Sequence, residues 1–261
     1  MKTFSILALK EPEKEENWRD FFDIEPIVSL SSDAIVGYEI LRRPAPFSQS
    51  KRQWSEWYDR VARFFLSREA AEKITDVFPY LSREIFVTIN LDDWQFMDSP
   101  IMNSVIESLL TFRRAGIVPA IEWTERGGSD RNTIGKISKI LETVRLRTQA
   151  LVVFDDMGAG VDYNDKLAMT RPDIGKIAGT IFHDSHANHR SRTSASKLVD
   201  LLHEIGARSV VEWVETNRDL ALARAIGAHY GQGYLWSKSN WRAPIRGHGG
   251  EILLKMGENH D

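Results

Sequence analysis

Short apolar runs along this chain repeatedly end in a polar side chain that can hold a metal or move a proton. These are Glu39, Asn90, Glu122, the adjacent pair Asp155 and Asp156, Lys176, Glu212 and Gln232. Five of them are carboxylates. Gathered in one place they repel one another severely unless divalent cations neutralise them. Oxygen donors with no thiolate and no placed histidine suit Mg2+ or Mn2+. Adjacent aspartates let one carboxylate bridge two ions while the other binds the second, the layout for in-line phosphoryl chemistry with two metals per site. A lysine among such acids can orient or activate the attacking water. These residue types therefore point to a two-metal hydrolase, provided that one edge of the fold collects them.

The elements that must do the collecting are legible as alternation. "EPIVSL" and "AIVGYEIL" flank Ser31-Ser32-Asp33 and read as a hairpin. Trp54, Trp57, Val61 and Phe64 are spaced for one helix face. "EIFVTIN" is strand-like, and Ser99-Pro100 then opens a helix with serine as the cap, closed by Gly116. "IVPAIE" follows as a strand, and Ile134, Ile137, Leu141 and Val144 stripe a further helix. "ALVVFDD", "DIGKI", "SVVE" and "AHYGQGYL" complete the strands, with helices over Leu198–Ile205 and Asn217–Ile226 between them. Two segments repeat a register, G-x5-E-W-x-E, at Gly116–Glu125 and Gly206–Glu215. Each reads as a helix stop, a short strand and a polar cluster at the strand's C-terminal end.

Helices alternating with short apolar strands imply a mostly parallel sheet. Units of this number and length fit an α/β fold of the (β/α)8 TIM-like barrel type, with an antiparallel first strand pair. In such barrels the C-terminal strand ends converge on the active site. No G-x-G-x-x-G follows a strand, so a dinucleotide fingerprint is absent. The expected organisation is an N-terminal arm over 1–20, a barrel domain over 21–246 and a C-terminal tail over 247–261.

Composition narrows the function classes. The chain has 261 residues, 42% hydrophobic, ample for one large core. The absence of cysteine excludes disulfides, thiolate zinc sites and cysteine nucleophiles. A net charge of −3 argues against DNA or anionic membrane as partner. No run approaches the ~20 apolar residues of a membrane span, and "FSILAL" is too short for a signal peptide's apolar core. The expected location is cytoplasmic. His183, His186 and His189 recur at three-residue intervals, but their Ser-, Arg- and Asn-rich surroundings read as a solvated loop rather than a zinc site. Trp123 and Trp213 each follow a candidate metal ligand and either point outward into the core or stack on a guanine, core being the favoured reading.

The quoted segments also carry a resemblance. "EPIVSL…IVGYEILRR", "VTINL", "IEWTE", "DDMGAG", "PDIGKI", "VVEWVET" and "GQGYLWSK" follow the order and spacing of the EAL domain family over about residues 20 to 242. That family comprises bacterial phosphodiesterases that open cyclic di-GMP to linear pGpG. The resemblance implies Glu39, Asn90, Glu122 and Asp155 as first-metal ligands, with Asp155, Asp156 and Glu212 serving the second. It implies Lys176 as the lysine that contacts the water and Glu212 as an acid serving as general base. Arg43 matches the arginine that contacts substrate phosphate, and Leu41, Glu25 and Gln232 match further substrate positions. Glu125 and Glu215 match supporting residues. A homodimer or a regulatory protein partner is also implied.

The chain departs from that family's pattern at five places: Glu25 stands for glutamine, Ala178 for aspartate, Trp213 for glycine, and Met157 and Val161 alter the loop after the aspartates. The readings open at this point are a cyclic di-GMP phosphodiesterase, a catalytically inactive module binding cyclic di-GMP or a regulatory protein, and a two-metal phosphodiesterase for another nucleotide.

Overall fold

The first two strands form the hairpin that the sequence implies. Strand β1 (Phe22–Ser29) and β2 (Ile35–Arg42) run antiparallel, and Asp33 turns the chain between them with a left-handed φ of 58°. In the computed structural model the residues described are 22–42, 66–75, 85–124, 129–159, 163–187 and 189–237. The arm, the tail, the stripe of Trp54, Trp57, Val61 and Phe64, and residues Arg43, Glu125 and Val161 lie outside them.

Beyond the hairpin, helices and strands alternate. Helix α1 (Arg68–Thr75) precedes β3 (Phe86–Leu91); α2 (Asp93–Phe96) and α3 (Ser99–Arg114) precede β4 (Val118–Trp123). Helix α4 (Arg131–Thr148) leads to β5 (Leu151–Met157), and α5 (Tyr163–Met169) to β6 (Ile174–Ile177). Then come α6 (Gly179–Ala187), α7 (His189–Glu204), β7 (Arg208–Val211), α8 (Asn217–Ala225), β8 (Tyr230–Gln232) and α9 (Tyr234–Ser237). The strands close a barrel in sequence order. All neighbours from β2 to β8 are parallel, and β1 is antiparallel to both β2 and β8.

Strand alternation sorts the side chains into two cores. Val87, Ile89, Leu91, Ile121, Trp123, Val152, Phe154 and Ile177 pack against the helix stripes outside the barrel. Ile27, Phe86, Ala120, Val153, Ile174 and Val210 form a separate cluster, the layer that fills the barrel's interior. Two residues further along β3, β4, β5 and β6 stand Thr88, Glu122, Asp155 and Lys176, and Glu212 stands two residues after Val210, just past the end of β7. The apolar plug thus supports a polar layer directly above it.

The Phe86 ring lies over Gly37, its partner on the neighbouring strand β2, where a Cβ would lie 2.6 Å from the ring. Gly37→Val overpacks this layer and should cost about 1–3 kcal/mol, read as a lowered thermal midpoint.

Two local expectations change. Asp98, not Ser99, caps α3: its side chain accepts from Ile101 N at 3.0 Å, with Ser99-Pro100 in the first turn. The expected loop around "HDSHANH" is helical, forming α6 and the start of α7. Buried Phe182, and Ala195, Leu198, Val199 and Leu202 at helical spacing, supply apolar contacts that outweigh the polar composition.

Candidate functional site

The polar layer converges on one cation. Lys176 projects from β6 into the barrel and is 2% exposed. Its Nζ lies 2.9 Å from Glu39, 2.7 Å from Glu122, 2.8 Å from Glu212 and 3.3 Å from Asp155. Four strands thus deliver carboxylates to a single ammonium. Asn90 Nδ2 donates to Glu39 Oε1 at 2.7 Å. Gln232 Nε2 donates to Glu39 Oε2 at 2.6 Å and to Glu25 Oε2 at 3.0 Å. Glu25 and Glu39 sit opposite each other in the hairpin register, so both face the interior.

Asp155 and Asp156 need a further device, because consecutive strand residues face opposite ways. Phe154 pairs with Gly175 and Met157 with Ile177, so β5 carries one more residue than β6 over this interval. Asp156 takes φ 50°. This bulge brings both aspartates to the same cavity and returns Met157 fully to the core. Oxygens of Asp155, Asp156 and Glu212 lie within 4.8 Å of one another, close enough to share a cation.

The cavity has a volume of about 420 Å³. The structure brings Glu25, Glu39, Leu41, Asn90, Asp155, Asp156, Lys176, Glu212 and Gln232 into its lining. Glu215 does not line it and is exposed. Thr124 and Gly233 line it unforeseen, and Trp213 joins them. Thr124 Oγ1 donates to Asp92 Oδ1 at 2.7 Å, fixing the strand end beside Glu122.

Trp123 is core, as expected: it is fully buried between Phe96 and Phe154 and donates through Nε1 to Asp93 at 2.6 Å. Trp213 is not. It is 51% exposed at the cavity's edge, and its φ of 58° is a conformation that favours glycine. Its neighbour Val214 takes the buried position instead. Of the five departures from the family pattern, only Glu25 and Trp213 line the cavity among the described residues.

Charge is unevenly held here. Burial acts to raise the carboxyl of Glu39, yet the Lys176 charge and hydrogen bonds from Asn90, Gln232 and Lys176 hold it below its usual value. Glu122 is pushed well up, first by burial and then by Glu39, with Lys176 alone opposing. Burial, reinforced by Asp155, raises Asp156. Burial also pushes Glu212 up to about 7. For Lys176, burial opposes the charge, but Asp155, Glu122, Glu212 and Glu39 together raise it well above its ordinary value.

The donor set fits divalent cations. Among the described residues, Asn90 Oδ1 and Glu122 Oε2 are buried acceptors with no hydrogen-bond partner, a state that costs about 1–3 kcal/mol per atom unless something positive fills it. Carboxylates and an amide oxygen are hard ligands of the kind Mg2+ and Mn2+ take.

A pH dependence follows for the metal-free protein. Glu122, Asp156 and Glu212 all bind protons more tightly folded than unfolded, so their contribution is full below about pH 4.5 and is lost as pH rises through the raised values. Glu39, lowered, and Lys176, raised, keep their charges throughout that range. Thermal midpoints in chelator should fall from pH 5.5 to pH 8, and Mg2+ or Mn2+ should reverse the fall. A midpoint that rises with pH would contradict the assignment.

A sequence profile of the EAL domain matches residues 58–239, more than half of the chain. The chain belongs to the EAL domain family. Glu25, Glu39 and Leu41 precede the matched residues, and the barrel's register brings them to the other strand ends. A probable cyclic di-GMP phosphodiesterase, PdeA of Escherichia coli (strain K12), is 32% identical over 84 residues, covering 32% of this chain and 12% of that protein. An uncharacterized protein of Azorhizobium caulinodans is 31% identical over 85 residues, again covering 12% of its length. The chain thus matches only a small part of these curated relatives. Among solved EAL structures, the cGMP-bound form of the enzyme Bd1971 superposes with a TM-score of 0.69 at 20% identity, covering 82% of this chain and 60% of that one. A standalone EAL protein of Vibrio cholerae O395, bound to c-di-GMP, gives 0.63 at 20% identity, covering 83% and 90%. At such identities the likeness establishes the shared barrel.

Proposed function

We propose that this EAL domain hydrolyses cyclic di-GMP to linear pGpG. The observation that carries the reading is the polar layer itself: Lys176 ringed by four carboxylates, with unpartnered acceptors on Asn90 and Glu122. The substrate class comes from the family and from PdeA, named a probable cyclic di-GMP phosphodiesterase.

Glu39, Asn90, Glu122 and Asp155 would hold one Mg2+ or Mn2+, and Asp155, Asp156 and Glu212 a second. Such ions supply charge neutralisation and Lewis-acid polarisation at the phosphodiester. Lys176 keeps its proton and presents Nζ as a donor and a fixed positive charge, orienting the attacking water. Burial raises the Glu212 carboxyl to about 7 in the metal-free protein; a bound cation would draw it back down, and Glu212 would then be a carboxylate placed to accept that water's proton. The water oxygen bonds to phosphorus, one bridging P–O bond breaks, and the departing ribose oxygen takes up a proton from solvent as the ring opens. Arg43 is assigned the substrate phosphate by resemblance, and Leu41, Glu25 and Gln232 line the approach.

The Asp155–Asp156 bulge makes the reading specific, since a purely structural strand end gains nothing from two carboxylates turned to one side. No helix among the described residues is long and apolar enough to cross a membrane. A homodimer or a regulatory protein partner remains part of the proposal.

Purified protein incubated with cyclic di-GMP and Mg2+ or Mn2+ should yield linear pGpG. Unchanged substrate with both metals, from demonstrably folded protein, overturns the enzymatic reading. Trp213 at the cavity's edge and Ala178 in place of aspartate favour one alternative, a receptor that binds the nucleotide without turnover. Calorimetric binding with no product would establish it.

A further inference from the structure

Trp213 is the one cavity residue whose backbone is held against its own preference among the lining positions that carry an apolar side chain. It adopts φ 58° and is 51% exposed, in a cavity lining that also holds Glu212, Gln232 and Gly233. A strained, half-exposed tryptophan is expensive to keep, and such strain collects at ligand clamps.

The ring also has a built seat. A Cβ on Gly179, the first residue of α6, would lie 2.1 Å from the indole Cδ2, so only glycine leaves room for it. His183, one turn further along α6, places Nε2 2.8 Å from the Trp213 carbonyl oxygen. Its ring also meets the indole edge-to-face at 5.8 Å between centroids. Helix α6 thus fixes both the backbone and the ring of Trp213. The indole offers no oxygen to a metal, so its place at the cavity's edge is not that of a ligand.

Resting on the nucleotide reading above, we infer that Trp213 is a purine-stacking wall, holding one base of the cyclic dinucleotide beside the phosphate-binding carboxylates. A flat indole stacks on a nucleobase whatever its hydrogen-bonding edge, so the wall supplies affinity. Gly179 and His183 are its positioning residues.

The test uses purified full chain and cyclic di-GMP. Trp213→Leu keeps an apolar side chain but removes the π face, and should raise KM by about 5- to 150-fold. Trp213→Phe should bring KM back to within about threefold, consistent with stacking on a smaller ring. Gly179→Ala, which unseats the indole, should raise KM in the wild type and leave it unchanged in Trp213→Leu. Calorimetric titration with Mn2+ should give the same affinity for wild type and Trp213→Leu, a readout of intact fold and carboxylates. If the wild type binds without turnover, Kd replaces KM in the same comparison. An unchanged KM in Trp213→Leu overturns the inference and leaves the proposed function standing. So does a Trp213→Gly variant with higher kcat/KM, which would make the ring an obstruction. A wild type that neither binds nor cleaves cyclic di-GMP overturns the proposed function, and the inference with it.

Discussion

Lys176→Met should destabilise the metal-free protein by about 3–5 kcal/mol and abolish turnover. The ammonium is buried against Glu39, Glu122, Asp155 and Glu212. Methionine matches its length but removes the charge that these groups face. Breaking a buried pair from one side leaves uncompensated charge, which costs far more than the pair's net worth. Part of the loss will be absorbed by protonation, since Glu122 and Glu212 already hold protons tightly. The deficit should therefore be smaller at pH 5.5 than at pH 8, a dependence steeper than that of the wild type. Thermal melts in chelator check the first effect. Saturating Mg2+ or Mn2+ should restore much of the stability without restoring cleavage. A variant that melts with the wild type in chelator would show that Lys176 is not the charge balance of this layer.

Asp155→Asn should lower turnover by at least about 10³-fold, the loss of roughly 4 kcal/mol expected when a charge that stabilises the transition state is misplaced. Its stability signature separates it from Lys176→Met. The amide keeps the shape of aspartate and removes one of the charges that raise Asp156, Glu122 and Glu212. Metal-free stability should therefore change little. What should vanish is the response to metal. For the wild type, a divalent ion at a hundred times its Kd adds about 2.7 kcal/mol, or roughly 5–10 °C for a chain of this size. Asp155→Asn should lose most of that increment. A variant whose midpoint still climbs with Mn2+ would remove Asp155 from the metal set.

The barrel and most of the polar layer were legible because both rest on period two. A run such as "FVTINL" exposes its pattern directly: Val87, Ile89 and Leu91 face the helices, while Thr88 and Asn90 face inward. The same alternation cannot place Asp155 and Asp156 together. Their shared cavity depends on a bulge whose existence is set by the pairing of β5 with β6, a tertiary property. For a related reason the favoured core reading fails for Trp213. Apolar size argues for burial, but φ 58° turns its side chain out and gives the core position to Val214. The signal that could have found it is the tryptophan's position where the family's pattern has glycine. Polar composition hides α6 and the first half of α7, although buried Phe182 and Ala195 lie within them; the second half of α7 is the helix that Leu198, Leu201 and Ile205 imply. Glu215, matched by motif alone, is exposed and does not line the cavity: it stands four residues past β7, beside the Thr216 cap of α8.

The reversed direction of β1 has a consequence for how this barrel connects to whatever adjoins it. In a barrel of uniformly parallel strands the chain enters at the floor, far from the chemistry. Here Phe22 pairs with Arg42 at the C-terminal end of β2, so the chain enters at the rim that bears the carboxylates. It also departs there, through α9 after Gln232. Both tethers of the barrel are therefore on the doorstep of the cavity. A pull on either would bear first on the pairing of β1 with β2 and β8, where Gln232 donates a hydrogen bond to Glu25.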